Sequence, residues 1–347
     1  MNILYGVQTT GNGHLVRSAS IIAALREKGH SVYTLMSGDS GKTIKQPEAY
    51  RPYEFRRGLT FITRGGRIRY METLRQLRLI RFYHDIRSFR AKDFDLAITD
   101  YEPLTARIAR RNRLPCIGVG HLYAFAHPAP VPRFDPLGVA IMRRFAPADI
   151  PLGLHWHHFQ SPILPPTIPD DVYSRKIREP SKILVYFPFE TPERIGEFLR
   201  PFREHTFRIY TPRLGTPSDE GNLQWRPVAR QDFVDDLSDC GGVMCNAGFS
   251  LISEALHLGR KVLAKPVSGQ VEQKANALAL QRLELGSVMS RLDRDIVRNW
   301  LRLPPPEPQN YPAVLPRIAE WIHSGQWDRP HELAGNLWGA TTSAHSA

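Results

Sequence analysis

Short apolar runs alternate with helical stripes along most of the chain, and the alternation predicts two α/β units. In the first, residues 3–8 read as a strand, 9–14 as a loop, and 15–28 as a helix whose Leu15, Ala19, Ile22 and Leu25 share a face. Gly29 ends that helix and residues 31–36 form the next strand, so the segment is a βαβ unit. Strands follow at 53–55, 96–99 and 116–119, with a helix at 104–112. Between them Ile68, Met71, Leu74, Leu77, Ile80, Tyr83, Ile86 and Phe89 recur every third residue with arginines in the gaps. This predicts one long helix over 67–91, packed on a sheet while its arginines snorkel; a basic amphipathic helix can also lie on a membrane surface.

Residues 126–169 change character: prolines recur, with a short helix at 137–145, and His155-Trp156-His157-His158 lies among them. That cluster lacks the spacing and the cysteines of a zinc site, and no metal is expected there. A second α/β pattern follows. Strands are expected at 183–187, 207–210, 242–245, 261–265 and 287–289, with 223–228 extended. Helices are expected at 192–199, 231–238, 250–257, 270–283, 294–301 and 313–323, and the small, polar tail from 332 is expected to fray. The division is an N-terminal domain over 1–161, a linker over 162–180, a C-terminal domain over 181–330 and a tail over 331–347.

Composition narrows the class. The 347 residues are 42% hydrophobic and 23% charged, which suits two globular domains. No apolar run is long enough to span a bilayer, and Asn2 to Val7 is too short and too weakly basic for a signal peptide. Cys116, Cys240 and Cys245 form no CxxC pair, so a reducing cytoplasm is expected. The net charge is +12, with much of the excess arginine between Arg51 and Arg113. That field attracts anions, or records only free use of arginine.

The chemistry concentrates at Cys245 to Leu256 and on to Gln273. A strand ends in a turn of small residues and a helix begins, which makes an anion site from unpaired amides. Gly248 lets a phosphate approach the backbone, and Ser250 can act as N-cap and phosphate ligand. Glu254 lies one turn on, at a reach suited to a sugar diol, or else on a solvated helix face. The first loop, Gly11-Asn12-Gly13-His14, is not the dinucleotide fingerprint, because Val16 stands where the third glycine would be.

Two such domains with these motifs resemble a GT-B glycosyltransferase: α/β, two Rossmann-like domains facing across a cleft. The resemblance covers nearly the whole chain and is nearest to transferases with a family-28-like C-terminal donor domain, the peptidoglycan N-acetylglucosaminyltransferase among them. It rests on Asn246-Ala247-Gly248-Phe249-Ser250-Leu251-Ile252-Ser253-Glu254-Ala255-Leu256, on Pro266-Val267-Ser268-Gly269-Gln270-Val271-Glu272-Gln273-Lys274-Ala275-Asn276, and less specifically on the first glycine loop. Asp100-Tyr101-Glu102-Pro103 also recurs within the group.

The resemblance implies a nucleotide-sugar substrate, UDP-linked, and no cofactor. Asn246, Gly248, Phe249 and Ser250 would hold the diphosphate with Gly13 opposite, Glu254 the ribose, and Gln270, Glu272 and Gln273 the sugar. His14 would be the base, or would merely cap its helix. Asp100 would be a rival base or would hold His14 in one tautomer. Glu102 and His121 would lie on the acceptor side, although a carboxylate at 102 could equally cap the following helix. The first loop is shorter than in the peptidoglycan enzyme, and residues 56–169 lack a clear counterpart to its lipid-docking surface. The acceptor is thus open, anionic or lipid-linked, with peripheral contact at the inner membrane face through 51–113 and no specific nucleic acid. Without an isolated DxD triad, transfer is expected to be metal-independent. A non-hydrolysing sugar-nucleotide 2-epimerase and a non-catalytic binder of sugar nucleotides or anionic polymers are the alternative readings.

Overall fold

The computed structural model describes residues 1–9, 12–38, 47–59, 63–64, 67–68, 79–133, 135–172 and 179–343. The N-terminal strands are β1 (Asn2–Gln8), β2 (Ser31–Ser37), β3 (Tyr53–Arg56), β4 (Thr63–Arg64), β5 (Arg67–Ile68), β6 (Leu96–Asp100), β7 (Cys116–Gly120), β8 (Ile150–Leu154) and β9 (Ile163–Leu164). All but β4 and β5, an antiparallel pair of their own, form a parallel sheet in the order β3-β2-β1-β6-β7-β8-β9. Its central strands are buried along almost their whole length, as helices on both faces of a parallel sheet require.

The C-terminal strands are β10 (Glu179–Tyr186), β11 (Thr206–Tyr210), β12 (Ser218–Glu220), β13 (Leu223–Arg226), β14 (Cys240–Cys245), β15 (Lys261–Ala264) and β16 (Ser287–Val288). They run in the order β12-β13-β11-β10-β14-β15-β16, parallel except at the β12 edge. The helices are α1 (Asn12–Glu27), α2 (Leu79–Ser88), α3 (Pro103–Asn112), α4 (Pro136–Arg144), α5 (Pro192–Leu199), α6 (Arg230–Asp239), α7 (Phe249–His257), α8 (Val271–Arg282), α9 (Arg294–Leu301), α10 (Val314–Ser324) and α11 (Pro330–Ser343). Each sheet winds outward from an inner pair, β1/β6 in one and β10/β14 in the other. Crevices at the carboxyl ends of such pairs are where open α/β sheets hold ligands.

Three expectations need correction. The long helix over 67–91 is not continuous, because Arg67 and Ile68 belong to β5; the helix is present over Leu79–Ser88, and 69–78 lie outside the described residues. Nor does its stripe pack as a unit: Ile80 is 90% exposed while Ile86 is 8% exposed. A spacing of three advances about 300° around a helix, so each member drifts about 60° and the stripe winds from one face to another. Second, the segment assigned to the linker contributes β9 to the first sheet, and β10 begins the second sheet at Glu179. Third, the tail is ordered as far as Ser343, with 344–347 outside the described residues: α11 buries Leu333, Ala334 and Leu337 and lies against β9, with Trp338 Nε1 donating to Ile163 O at 2.7 Å. With α10 packed on α1, the chain's last two helices return to the N-terminal domain.

One apolar cluster runs through both sheets, joining Ile3, Tyr5 and Trp156 to Leu184, Phe249 and Leu280. Buried histidines give this core a pH dependence. Burial holds His155 well below its ordinary pKa and pushes His257 down to about 4. Both stay neutral in the folded chain below about pH 6.5, where the unfolded chain takes up protons. Their contribution is complete above that pH and is lost as pH falls toward 4. The melting temperature should therefore hold from pH 8 to 7 and drop between pH 6.5 and 5. A midpoint unchanged down to pH 5 would contradict the assignment.

Candidate active site

The first helix begins earlier than its periodicity suggests, at Asn12, so Gly13 and His14 occupy its opening turn rather than a loop. Thr10 and Gly11 of the expected glycine loop lie outside the described residues. His14 Nδ1 lies 2.8 Å from Asp100 Oδ1, at the carboxyl end of β6. Arg17, one turn along α1, reaches both oxygens of that carboxylate, Nε to Oδ2 at 3.1 Å and Nη2 to Oδ1 at 2.5 Å, and Ser18 Oγ donates at 3.0 Å. Burial would raise the Asp100 pKa, but Arg17 and His14 outweigh it and hold the carboxyl below its usual range. An ionised carboxylate only accepts, so the His14 nitrogen facing it, Nδ1, bears a proton, and in the neutral ring the lone pair is then on Nε2. Arg17 Nη2 stands 3.3 Å from the same Nδ1, and the shorter contact to the carboxylate decides the tautomer. His14 keeps 24% of its side chain exposed while Asp100 has none, so only the imidazole is open to a substrate.

The backbone around this group is shaped to hold it. Tyr101 sits in the left-handed region at φ 55°, its ring held by Tyr123 and Phe145. Gly120 lies opposite, where a Cβ would come 3.1 Å from Asp100 Oδ1 and 3.2 Å from Arg17 Nη2. Glu102 does not reach an acceptor. It is wholly buried and caps α3, accepting from Leu104 N, Thr105 N and Ser37 Oγ. The capping alternative is the one realised, because a carboxylate directly before Pro103 lies under two unpaired amides.

Across from it, α7 starts at Phe249 with Gly248 as its cap residue and no side-chain cap, so Ser250 is not the N-cap. It lies in the first turn, exposed. A Cβ built on Gly13 would stand 3.0 Å from Ser250 Oγ, so the opening turns of α1 and α7 meet. A Cβ on Gly248 would meet nothing within 4 Å, which leaves open space beside the backbone there. Asn246 Nδ2 donates to Lys265 O, while Oδ1 is buried without a partner among the described residues. Lys265 at the end of β15 is neutralised by Glu190 beyond β10, 2.6 Å away.

Glu254 is not on a solvated face: it is 6% exposed and pairs with Arg230 at 3.2 Å, and Arg230 also holds Asp171 at 2.9 Å. Burial raises the Glu254 pKa against the pull of Arg230. Gln270 is the cap residue of α8 without a side-chain cap bond. Gln273 turns inward, its Oε1 accepting from Val267 N, and so fastens the preceding turn rather than facing a sugar. Glu272 is half-buried and its charge acts on His121 and Tyr101 of the other domain.

His121 is also not an open acceptor-side group. It is 6% exposed, lies between Leu154 O and Asn276 Oδ1, and stacks on Phe249 at 3.8 Å. The Phe249 side chain is buried between His121 and Trp156, which leaves its backbone amide, in the first turn of α7, as the group that could meet a diphosphate.

Sequence reasoning missed Arg17, Ser18, Arg230 and Asp171. Arg17 had a signal: it lies one helical turn from His14, on the same side of α1. Asp171 and Arg230 are 59 positions apart, and nothing local joins them.

The family model described as glycosyl transferase family 1 matches residues 1–305. Among solved structures, the glycosyltransferase SnogD from Streptomyces nogalater superposes with a TM-score of 0.55 at 16% identity, covering 98% of this chain and 99% of that chain. LpCGTa in complex with UDP gives 0.56 at 15% identity, over 98% and 99% of the two chains. MurG of Acinetobacter baumannii gives 0.54 at 13% identity, over 93% and 99%. At such identities the likeness is one of fold. No curated protein sequence matches the chain.

Proposed function

Because the chain belongs to glycosyl transferase family 1 and is a glycosyltransferase of GT-B fold, we propose that it takes its sugar from a UDP-linked donor and passes it to an acceptor hydroxyl without a metal ion. One observation carries this reading: the opening turns of α1 and α7 meet, with the His14–Asp100 pair at the junction. Two helix N-termini present unpaired amides and positive dipole ends to one place, which suits a leaving diphosphate. The UDP in LpCGTa, a protein of the same fold, supports the choice of nucleotide.

In this reading the acceptor oxygen attacks the anomeric carbon as its proton passes to His14 Nε2. The bond from that carbon to the diphosphate oxygen breaks, and the charge left behind falls on the amides of α7. Asp100, kept ionised by Arg17, stabilises the imidazolium that forms. Glu254, tethered by Arg230, offers its other oxygen to the ribose. Titration calorimetry with UDP-, GDP- and dTDP-sugars tests the donor: the UDP-sugar should bind, binding by another alone would overturn the choice of nucleotide, and binding by none would overturn the proposal. Glu254→Ala should weaken that binding by about 10- to 100-fold, the worth of a charged hydrogen bond; unchanged affinity would remove Glu254 from the site.

For the acceptor we propose a lipid-linked or anionic molecule met at a membrane surface. No described helix is long and apolar enough to cross a membrane. On α2, however, Leu79, Ile80 and Tyr83 are 52%, 90% and 56% exposed, and Arg81 and Arg87 are exposed beside them. Apolar side chains ringed by arginine suit an anionic interface. The protein should sediment with phosphatidylglycerol vesicles at low salt, and Ile80→Glu should abolish this; no sedimentation of the unaltered protein would contradict the contact.

A further inference from the structure

One line of contact between the two domains runs through a histidine to the backbone of the α7 loop. His121 follows β7, and its Nδ1 lies 2.9 Å from Leu154 O at the end of β8. Its Nε2 lies 2.7 Å from Oδ1 of Asn276, on α8 of the other domain. Asn276 is fully buried, and its Nδ2 donates to Ala247 O at 3.0 Å. That last bond fixes which way the amide faces, because a carbonyl can only accept; Oδ1 is therefore turned to the imidazole.

Ala247 O and Gly248 N belong to one planar peptide, so pinning the carbonyl also sets the direction of the Gly248 N–H, which turns back to Asn246 O at 2.7 Å. Gly248 itself imposes little on the chain, and α7 has no side-chain cap, so the loop takes its orientation from outside. The ring of His121 adds a second hold. It lies nearly parallel, at 6°, to Phe249, the first residue of α7, whose far side meets Trp156 at 5.4 Å. Trp156 Nε1 donates separately to Ser253 Oγ, which donates on to Phe249 O at 2.8 Å, a contact that does not reach the Ala247 carbonyl.

We infer that His121 is a positioning residue: through Asn276 it makes the geometry of the 246–250 loop depend on closure of the two domains. The inference rests on the reading of that loop as the diphosphate seat, and it deepens that reading by giving the N-terminal domain a share in donor binding. When the domains part, Asn276 Oδ1 loses its partner and the Ala247 carbonyl its fixed support, so the seat is complete only in the closed form.

The test uses His121→Phe, which keeps the aromatic stack and removes both nitrogens, and Asn276→Leu, which keeps the volume and removes the amide. Hydrogen exchange of amides 246–252 is followed in the unliganded protein, and UDP affinity by calorimetry. Each single variant should speed exchange there and weaken UDP binding by about tenfold. The double variant should do no more than either alone, as members of one relay must. Trp156→Phe, which removes the Ser253 bond and keeps an aromatic ring beside Phe249 while leaving His121 and Asn276 in place, should loosen the loop less than either single variant. Unchanged exchange in both single variants, additive effects in the double variant, or equal loosening by Trp156→Phe would each overturn the inference. If the unaltered protein takes no UDP while the exchange pattern holds, the coupling stands and the donor assignment fails.

Discussion

His14→Ala is expected to lower turnover by about 10²- to 10⁴-fold, the range for loss of a general base, while nucleotide affinity stays as it was. The separation follows from the geometry. His14 holds no described group of the C-terminal domain; its recorded partners are Asp100 and Arg17 of its own domain. Removing it takes away the proposed proton acceptor and leaves the α7 amides in place. kcat and kcat/KM should therefore fall together, the sign of an interaction made only in the transition state. Full turnover in the variant would require another base. Asp100 could not fill that role, because it is sealed from solvent and held by Arg17.

Arg17→Met carries the largest expected cost in stability, about 3–5 kcal/mol, because it strands a buried carboxylate. Asp100 has no exposure and takes two contacts from the guanidinium. His14 and Ser18 remain but supply no fixed charge. Without Arg17, burial would push Asp100 toward its neutral form, and a neutral acid no longer assigns the His14 tautomer. Activity should fall along with stability, and Arg17→Lys should restore only part of either, since an ammonium cannot span both oxygens. A urea midpoint that moved by less than about 1 kcal/mol equivalent would show that the pair is not as dry as it looks.

Much of the architecture was legible because buried parallel strands announce themselves as apolar runs between helical stripes. The meeting of His14 with Asp100 was within reach for the same reason, since Asp100 ends β6 and His14 opens the helix that follows the neighbouring strand β1. The roles of Glu102, His121 and Phe249 were not. A carboxylate at a strand end reads alike whether it faces solvent or three donors, and only the closed fold shows Glu102 under the α3 amides. His121 and Phe249 are joined by packing between domains, which leaves no periodicity in either segment. The tail misled because its small, polar residues hide buried Leu333 and Leu337 and half-buried Trp338, which bonds an edge strand assigned to the linker.

We propose that a sugar nucleotide sits where α1 and α7 meet. A crystal structure with UDP, or with whichever of the three nucleotides binds, tests it most directly. A diphosphate oxygen should lie within hydrogen-bond distance of the first-turn amides of α7, with the ribose beside Glu254 and His14 Nε2 facing the space beyond the outer phosphate. A nucleotide bound elsewhere, with those amides left to water, would contradict it.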